Sequence, residues 1–246
     1  MSPPARTAAA LLIGNELLSG KVHEANLVEL ARTLRSVGVS LRRAVMVPDD
    51  MAVIADEVRT LSAAHDVVFT SGGVGPTHDD ITIEAVAQAF GVRAVVHPDF
   101  EALLHSVYGA RMTAGHLRMA LVPEGAELVS HRDARWPTVL MRNVWVLPGV
   151  PEAFRMKLAV VRDRVRGATT FHSRQVLTQM DEPDLKPMLD RVVAAHPTVD
   201  VGSYPKWFDI RYRTKITFDA TSADALEAAV AEFLSLLPDG EPQAVE

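Results

Sequence analysis

Through the first half of the chain, short uninterrupted apolar runs alternate with longer stretches whose apolar residues recur at helical spacing. Thr7 to Ile13 is such a run and ends at Gly14. Leu27, Leu30, Ala31, Leu34 and Val37 then make one helix stripe, stopped by Gly38 in the C′ role. Leu41 to Val47 predicts a second strand, Pro48-Asp49-Asp50 a turn, and Ile54, Val58 and Leu61 the buried face of a second helix. Val67 to Thr70 predicts a third strand, and Ile83, Val86, Ala87 and Phe90 share a helix face closed by Gly91. Unbroken apolar runs mark strands covered on both faces, and a β-α-β-α-β-α order makes neighbouring strands parallel. The expectation is a three-layer α/β/α sandwich around a mostly parallel sheet.

Beyond Gly91 the pattern predicts a short strand at Val92 to Val96, a helix from Pro98, a further helical segment around Leu117 to Leu121, and a turn at Pro123-Glu124-Gly125. Val139 to Met141 and Val144 to Leu147 flank Arg142-Asn143 as a tight hairpin. Leu147-Pro148-Gly149-Val150-Pro151 then feeds a helix with Pro151 at its favourable first position. Near Arg166-Gly167 the order changes to a strand (Phe171 to Met180), a helix (Asp184 to Ala195), two strands (Val199 to Tyr204, Arg211 to Phe218) and a last helix (Ser222 to Leu237). This predicts a first domain over 1–167 and a small α+β module over 168–246, with no internal repeat.

Composition narrows the class. The 246 residues are 48% hydrophobic and 23% charged, as in ordinary globular proteins. A net charge of −6 with no basic stripe disfavours nucleic-acid binding. The absence of cysteine excludes disulfides, thiolate metal sites and cysteine nucleophiles. The apolar run after Arg6 is too short for a signal peptide or a membrane span, so a cytoplasmic enzyme with no membrane partner is expected.

The chemistry gathers where predicted strands run into helices, since parallel sheets bind ligands outside the C-terminal ends of their strands. In Ser71-Gly72-Gly73-Val74-Gly75-Pro76-Thr77-His78-Asp79-Asp80, the amides of Gly72, Gly73 and Gly75 and the following helix N-terminus suit an anion, phosphate above all. Asp79 and Asp80 would repel a bare phosphate, which points to a divalent metal between them. The loop lacks the third glycine of a dinucleotide fingerprint and the Gly-Lys-Ser/Thr ending of a Walker A loop. Against the metal stands a second reading, in which Thr77-x-x-Asp80 is a helix capping box and Asp79 a dipole-favoured surface acid. Glu16, in the glycine-bounded loop Gly14 to Gly20, could hold a metal or activate water, while Glu24 better suits the solvated start of the next helix. A lone loop histidine such as His78 is more often surface than base, and Ser71 lacks the setting of an activated serine. Tyr204 and Trp207, in Gly202-Ser203-Tyr204-Pro205-Lys206-Trp207, either stack on a ring or pack an ordinary turn.

Gly14-Asn15-Glu16-Leu17-Leu18-x-Gly20 with Asn26, Gly72-Gly73-Val74-Gly75-Pro76-Thr77-x-Asp79-Asp80-x-Thr82, and Leu147-Pro148-Gly149-Val150-Pro151 together resemble the molybdopterin-binding (molybdenum-cofactor biosynthesis) domain family. Within it the chain resembles the competence/damage-inducible protein A branch. It is closer to the molybdopterin-binding-like region of eukaryotic FAD synthases, through Arg32 to Gly38, Glu84 to Phe90, Phe171-His172-Ser173 and Gly202 to Pro205. The resemblance implies a metal-dependent pyrophosphatase that splits FAD or an ADP-ribose-like dinucleotide into AMP and the partner monophosphate. The alternative is a non-catalytic molybdopterin- or nucleotide-binding protein. No transferase or deamidase domain of the relatives is found, so neither FAD synthesis nor deamidation is expected.

On that reading Asp79, Asp80 and Glu16 are catalytic. Asp80 and Asp79 hold Mg²⁺, Mn²⁺ or Co²⁺. The dinucleotide or pterin ligand contacts Gly14, Asn15, Asn26, Ser71, Gly72, Gly73, Gly75, Pro76, Thr77, Pro148, Gly149, Ser203 and Tyr204. Relatives imply a homo-oligomer, a dimer or trimer. Two departures stand out: Asn15 where many relatives have Asp, and Glu24-Ala25-Asn26 where they have Asp-Thr-Asn. Arg135-Trp136-Pro137-Thr138, in place of an Ala-Pro-Gly segment, favours the FAD-synthase-like branch.

Overall fold

A computed structural model describes residues 6–132, 134–206 and 211–246. The chain forms two compact units, the first ending at Ala168 and the second running from Thr169 to Glu246. The first contains β1 (Thr7–Ile13), α1 (Asn15–Leu18), α2 (Asn26–Ser36), β2 (Ser40–Val47), α3 (Met51–Ala64), β3 (Val67–Ser71) and α4 (Thr82–Phe90). It continues with β4 (Ala94–Val96), α5 (Pro98–Tyr108), α6 (Ala114–Arg118), β5 (Leu121–Pro123), β6 (Glu127–His131), β7 (Ala134–Met141), β8 (Val144–Leu147) and α7 (Pro151–Arg164).

The main sheet has the order β2-β1-β3-β8-β7-β6. Its β1–β2, β1–β3 and β3–β8 pairs are parallel, and β8–β7 and β7–β6 are antiparallel. Alternating side chains of the buried strands feed two cores. Ala9, Leu11, Ile13 and Val68 pack with Ile54, Val58 and Leu61 of α3 and Ile83 and Val86 of α4. Ala8, Ala10, Val67 and Phe69 pack on the opposite face with Leu30 and Leu34 of α2 and Phe154, Leu158 and Val161 of α7. This is a three-layer α/β/α sandwich.

The structure settles placements that the sequence pattern left open and shortens one predicted helix. The strand after α4 pairs antiparallel with β5 in a separate two-stranded sheet. The place beside β3 goes to β8, whose four residues are all buried. The helical segment around Leu117 to Leu121 stops at Arg118, and Leu121 already belongs to β5. The Arg142-Asn143 hairpin forms without a glycine because Arg142 itself takes φ 55°. The Asn143 side-chain amide holds the turn by donating to the carbonyls of Ser62 (3.0 Å) and His65 (2.9 Å).

The second unit has β9 (His172–Thr178), α8 (Glu182–Ala195), β10 (Asp200–Pro205), β11 (Thr214–Ala220), α9 (Ala223–Leu236) and β12 (Ala244–Val245). Its antiparallel sheet has the order β10-β11-β9-β12. Val176, Ile216 and Phe218 of that sheet pack on Leu185 and Val192 of α8 and Leu226 and Phe233 of α9. Among the described residues no helix is long and apolar enough to cross a membrane.

Candidate active site

The three motif loops start level with one another because β1, β3 and β8 are adjacent. Leu12 pairs with Ser71, and Ser71 pairs with Leu147. Gly72 is wedged between the two flanking strand ends. Its N–H donates to Leu147 O at 3.2 Å, and at φ 109° a Cβ would fall 2.2 Å from Ile13 O. Only glycine fits there. A Cβ on Gly149 would come 3.1 Å from the Gly72 Cα, so the proline loop lies directly against the glycine loop. Asn26, first residue of α2 and 6% exposed, ties them together. Its amide nitrogen donates to Ser71 Oγ (3.0 Å) and Gly149 O (2.8 Å), and Ser71 Oγ donates to Pro148 O at 3.4 Å.

The glycine loop is longer than a direct strand-to-helix turn. Asp80 does not cap α4, which begins at Thr82 with Ile81 before it and no side-chain cap. Asp80 instead closes a turn on itself. Its N–H donates to Thr77 O (3.3 Å), and its Oδ2 accepts from the Thr77 N–H (2.8 Å) and lies 2.5 Å from Thr77 Oγ1. The capping-box reading of Thr77-x-x-Asp80 is thereby corrected. Thr82, fully buried, pins the helix start instead: its hydroxyl donates to Gly72 O (2.8 Å) and its N–H to Gly73 O (3.0 Å).

Asp79 Oδ1 lies 2.6 Å from the same Thr77 hydroxyl. One hydroxyl carries one proton, so one of these two carboxylate contacts lacks a donor. The Thr77 bond and its own backbone N–H hold the Asp79 carboxyl below the usual carboxylate range. A hard cation would relieve the crowding of negative charge. Mg²⁺-type ions need only one or two carboxylates beside phosphate and water oxygens. The pair therefore fits such an ion, with the remaining coordination left to a ligand. Among the described residues no group of three or more His, Asp or Glu is placed to hold a metal alone.

Behind the loop lies a cavity of about 310 Å³. Gly73, Gly75, Pro76, Asp80 and Pro148 line it together with the apolar Phe100, Met119, Leu121, Trp136, Val139 and Val146. Glu84, Arg118 and Lys157 also reach it. Arg118 pairs with Glu84 at 2.7 Å and donates from Nη2 to Asp80 O at 2.8 Å. Its Nε–H is buried and has no partner among the described residues. Lys157, 8% exposed, donates to the carbonyls of Trp136 and, at 2.9 Å, Pro137. Burial pushes its pKa down to about 8.

Neither cation was anticipated. Lys157 did leave a trace, since it falls within the apolar stripe Phe154, Leu158, Val161 of α7, where a charge has no business without a role. Arg118 leaves none, as one basic residue at the end of a five-residue helix.

The other expected residues are placed as follows. The Gly72 amide, expected in the phosphate cradle, is taken by Leu147 O and the Thr77 amide by Asp80. The Asn15 N–H donates to Asp49 Oδ2 at 2.8 Å. Glu16 is exposed on the first turn of α1 and folds over Gly14, where a Cβ would meet its Oε1 at 2.4 Å. Neither Glu16, Asn15 nor Gly14 lines the cavity. Glu24 accepts from the N–H groups of Asn26 (2.7 Å) and Leu27 (2.9 Å), which makes it the start of α2. His78 is almost wholly exposed, 3.9 Å from Asp79. Ser203 and Tyr204 lie on β10 of the second unit. Ser203 Oγ donates to Glu182 Oε1 at 2.6 Å, and the half-exposed Tyr204 ring has the Lys215 ammonium 5.3 Å from its centre. Trp207 lies outside the described residues.

Residues 9–166 match the family described as "Probable molybdopterin binding domain", and residues 170–246 match "FAD synthase, middle domain". A protein of Archaeoglobus fulgidus is 31% identical over 92% of this chain and 96% of its own length. A "Probable FAD synthase" of Caenorhabditis elegans is 29% identical over 96% of this chain but only 50% of its own length. The chain thus spans half of that relative. Among solved structures, the protein CinA of Thermoplasma acidophilum superposes with a TM-score of 0.59 at 30% identity, covering 65% of this chain and 97% of that one. Because the first family match spans residues 9–166, well over half of the 246 residues, the chain belongs to the molybdopterin-binding domain family.

Proposed function

We propose that this protein hydrolyses the diphosphate of a dinucleotide, FAD or an ADP-ribose-like compound, to AMP and the partner monophosphate. The observation that carries the reading is one cavity lined both by the glycine loop with Asp80 and by apolar side chains such as Phe100, Trp136 and Val139. Likeness to FAD synthases in both halves of the chain supports FAD as the first substrate to try. Phosphate oxygens would sit on the amides of Gly73 and Gly75, which no protein acceptor takes among the described residues. Arg118, anchored on Asp80 O and Glu84, would orient the diphosphate. Asp80 and Asp79 would hold a divalent cation, whose contribution is to neutralise charge on the phosphate oxygens and orient water for in-line attack. The lowered pKa of Asp79 suits charge holding better than proton abstraction, since a weak base takes protons poorly.

The test is release of AMP from FAD, ADP-ribose and NADH with Mg²⁺, Mn²⁺ or Co²⁺. Asp80→Ala should lower turnover by about a hundred-fold or more. Turnover no higher than that of Asp80→Ala with every metal would remove hydrolysis from the account.

A second reading, a pterin- or nucleotide-binding protein without hydrolysis, is favoured by one observation. Among the described residues no three or more His, Asp or Glu are placed to hold a metal. Retention of intact FAD or pterin by the purified protein would support it.

A further inference from the structure

We infer that residues 97–120 are a hinged cap that closes the cavity behind the glycine loop, with Arg118 as its latch. That gating role rests on the hydrolysis proposed above, while the hinge rests on packing alone. The segment leaves the sandwich by one neck. There β4 and β5 pair antiparallel, and Val122 of β5 is buried in the core under α3 and α4, with Ala94, Val95 and Leu121 packed against it. Where the neck ends, the His97 N–H donates to Ala120 O at 2.9 Å. Beyond it, α5 and α6 gather round a core of their own, Phe100, Leu104 and Ala120. Three buried residues make a small core, and lids are drawn from the parts of a fold with little buried apolar contact.

The cap meets the sandwich through two contacts of different character. At one, the Tyr108 ring stacks on Trp136 with 6.1 Å between centres, and Phe100 lies 6.2 Å from the same Trp136. An apolar contact is non-directional and can turn without losing a specific bond, which makes it a pivot. At the other, α6 rests on the glycine loop, where a Cβ on Gly115 would lie 3.7 Å from Pro76 Cβ. There Arg118 reaches Glu84 at 2.7 Å and Asp80 O at 2.8 Å. The Arg118 and Glu84 side chains stay 33% and 25% exposed, so water competes for the pair and it holds weakly. A weak, partly hydrated latch beside an apolar pivot is what a reversible lid requires. Phe100, Arg118 and Met119 of the cap line the cavity, so swinging α6 away uncovers it. The latch ends on the residue proposed to hold the cation, which ties closure to completion of the site.

The test uses the absence of cysteine from the chain. The 3.7 Å between Pro76 Cβ and a Cβ on Gly115 falls within the about 3.5–4.5 Å that a disulfide spans. Pro76→Cys combined with Gly115→Cys should therefore lock α6 down on oxidation. AMP release from FAD with Mn²⁺ should then fall at least about ten-fold in the oxidised double variant, compared with the same protein reduced. Amide hydrogen exchange, which needs no substrate, follows the hinge itself. In the wild type α5 and α6 should exchange together and before β1 and β3, and oxidation of the double variant should slow them. Glu84→Ala, which removes the latch partner, should speed exchange in α6 about five-fold and leave β1 and β3 unchanged. Equal turnover in the oxidised and reduced forms, a disulfide that does not form, or cap amides that exchange only with the sandwich core would overturn the inference. Absence of hydrolysis in both forms and in the wild type removes the proposed reaction instead, and exchange alone then decides the hinge.

Discussion

Lys157 occupies a helix position whose neighbours at three- and four-residue spacing are Phe154, Leu158 and Val161, all buried. Its cost can be read as a function of pH. Burial lowers its pKa from 10.5 to about 8, so between these values the unfolded chain binds a proton that the folded chain has released. Stability therefore rises with pH across that window, and the full cost is carried below pH 8. A gap of this size corresponds to about 3 kcal/mol. Lys157→Met removes the titration, while the carbonyls it leaves behind add only a pH-independent offset. The stability of the wild type minus that of the variant, from urea unfolding between pH 7 and 10, should climb by about 2–3 kcal/mol. A flat difference would mean that the ammonium is not desolvated. At this scale sequence reading succeeds where a residue type is unusual for its place, as with glycines and paired acids after a buried strand. It fails for Arg118, whose importance comes only from the distant segments that fold around it.

At the scale of elements, the legible ones were those whose environment is uniform. β1, β3 and β8 are buried on both faces and read as unbroken apolar runs. β6 is not legible because five half-exposed residues show little period, and β5 because three residues are too few to show one. The capping-box alternative before α4 fails for a different reason. Thr77-x-x-Asp80 satisfies the sequence form of a cap, but the Asp80 carboxylate returns to the Thr77 N–H, and the buried Thr82 sets the helix start. The junction of three loops was legible as motifs but not as a joint, because Asn26 lies far in sequence from Ser71 and Gly149. Asn26→Leu should leave Ser71 Oγ without its donor and Gly149 O without a partner from α2, at a cost of about 2–4 kcal/mol in chemical denaturation. Asn26→Asp should be worse at pH 7, since it turns a carboxylate toward the Gly149 carbonyl. If the leucine variant is as stable as the wild type, the three loops are held by packing and not by this amide.

At the scale of the whole chain, the two units bury their apolar residues by different rules. In the first, the central strands are covered on both sides, and the core is divided into two layers. In the second, β11 alternates buried and half-buried residues along its length, as a sheet does when helices cover one face. That face carries a closed set of contacts, with Phe218 and Phe233 5.4 Å apart at its centre and Ser222 capping α9 through the Ala225 N–H. All its pairings are antiparallel, so it needs no crossover through other parts of the chain. A unit of roughly 80 residues without disulfides commonly retains about 3–5 kcal/mol. The fragment Thr169–Glu246 should therefore fold alone, with helix and strand in its circular dichroism spectrum and one cooperative melting transition. Phe218→Ala should abolish that transition, because removing about 3–5 kcal/mol of core packing exhausts such a margin. A fragment with no cooperative melt would show that its core requires the first unit, whatever the separateness of its contacts.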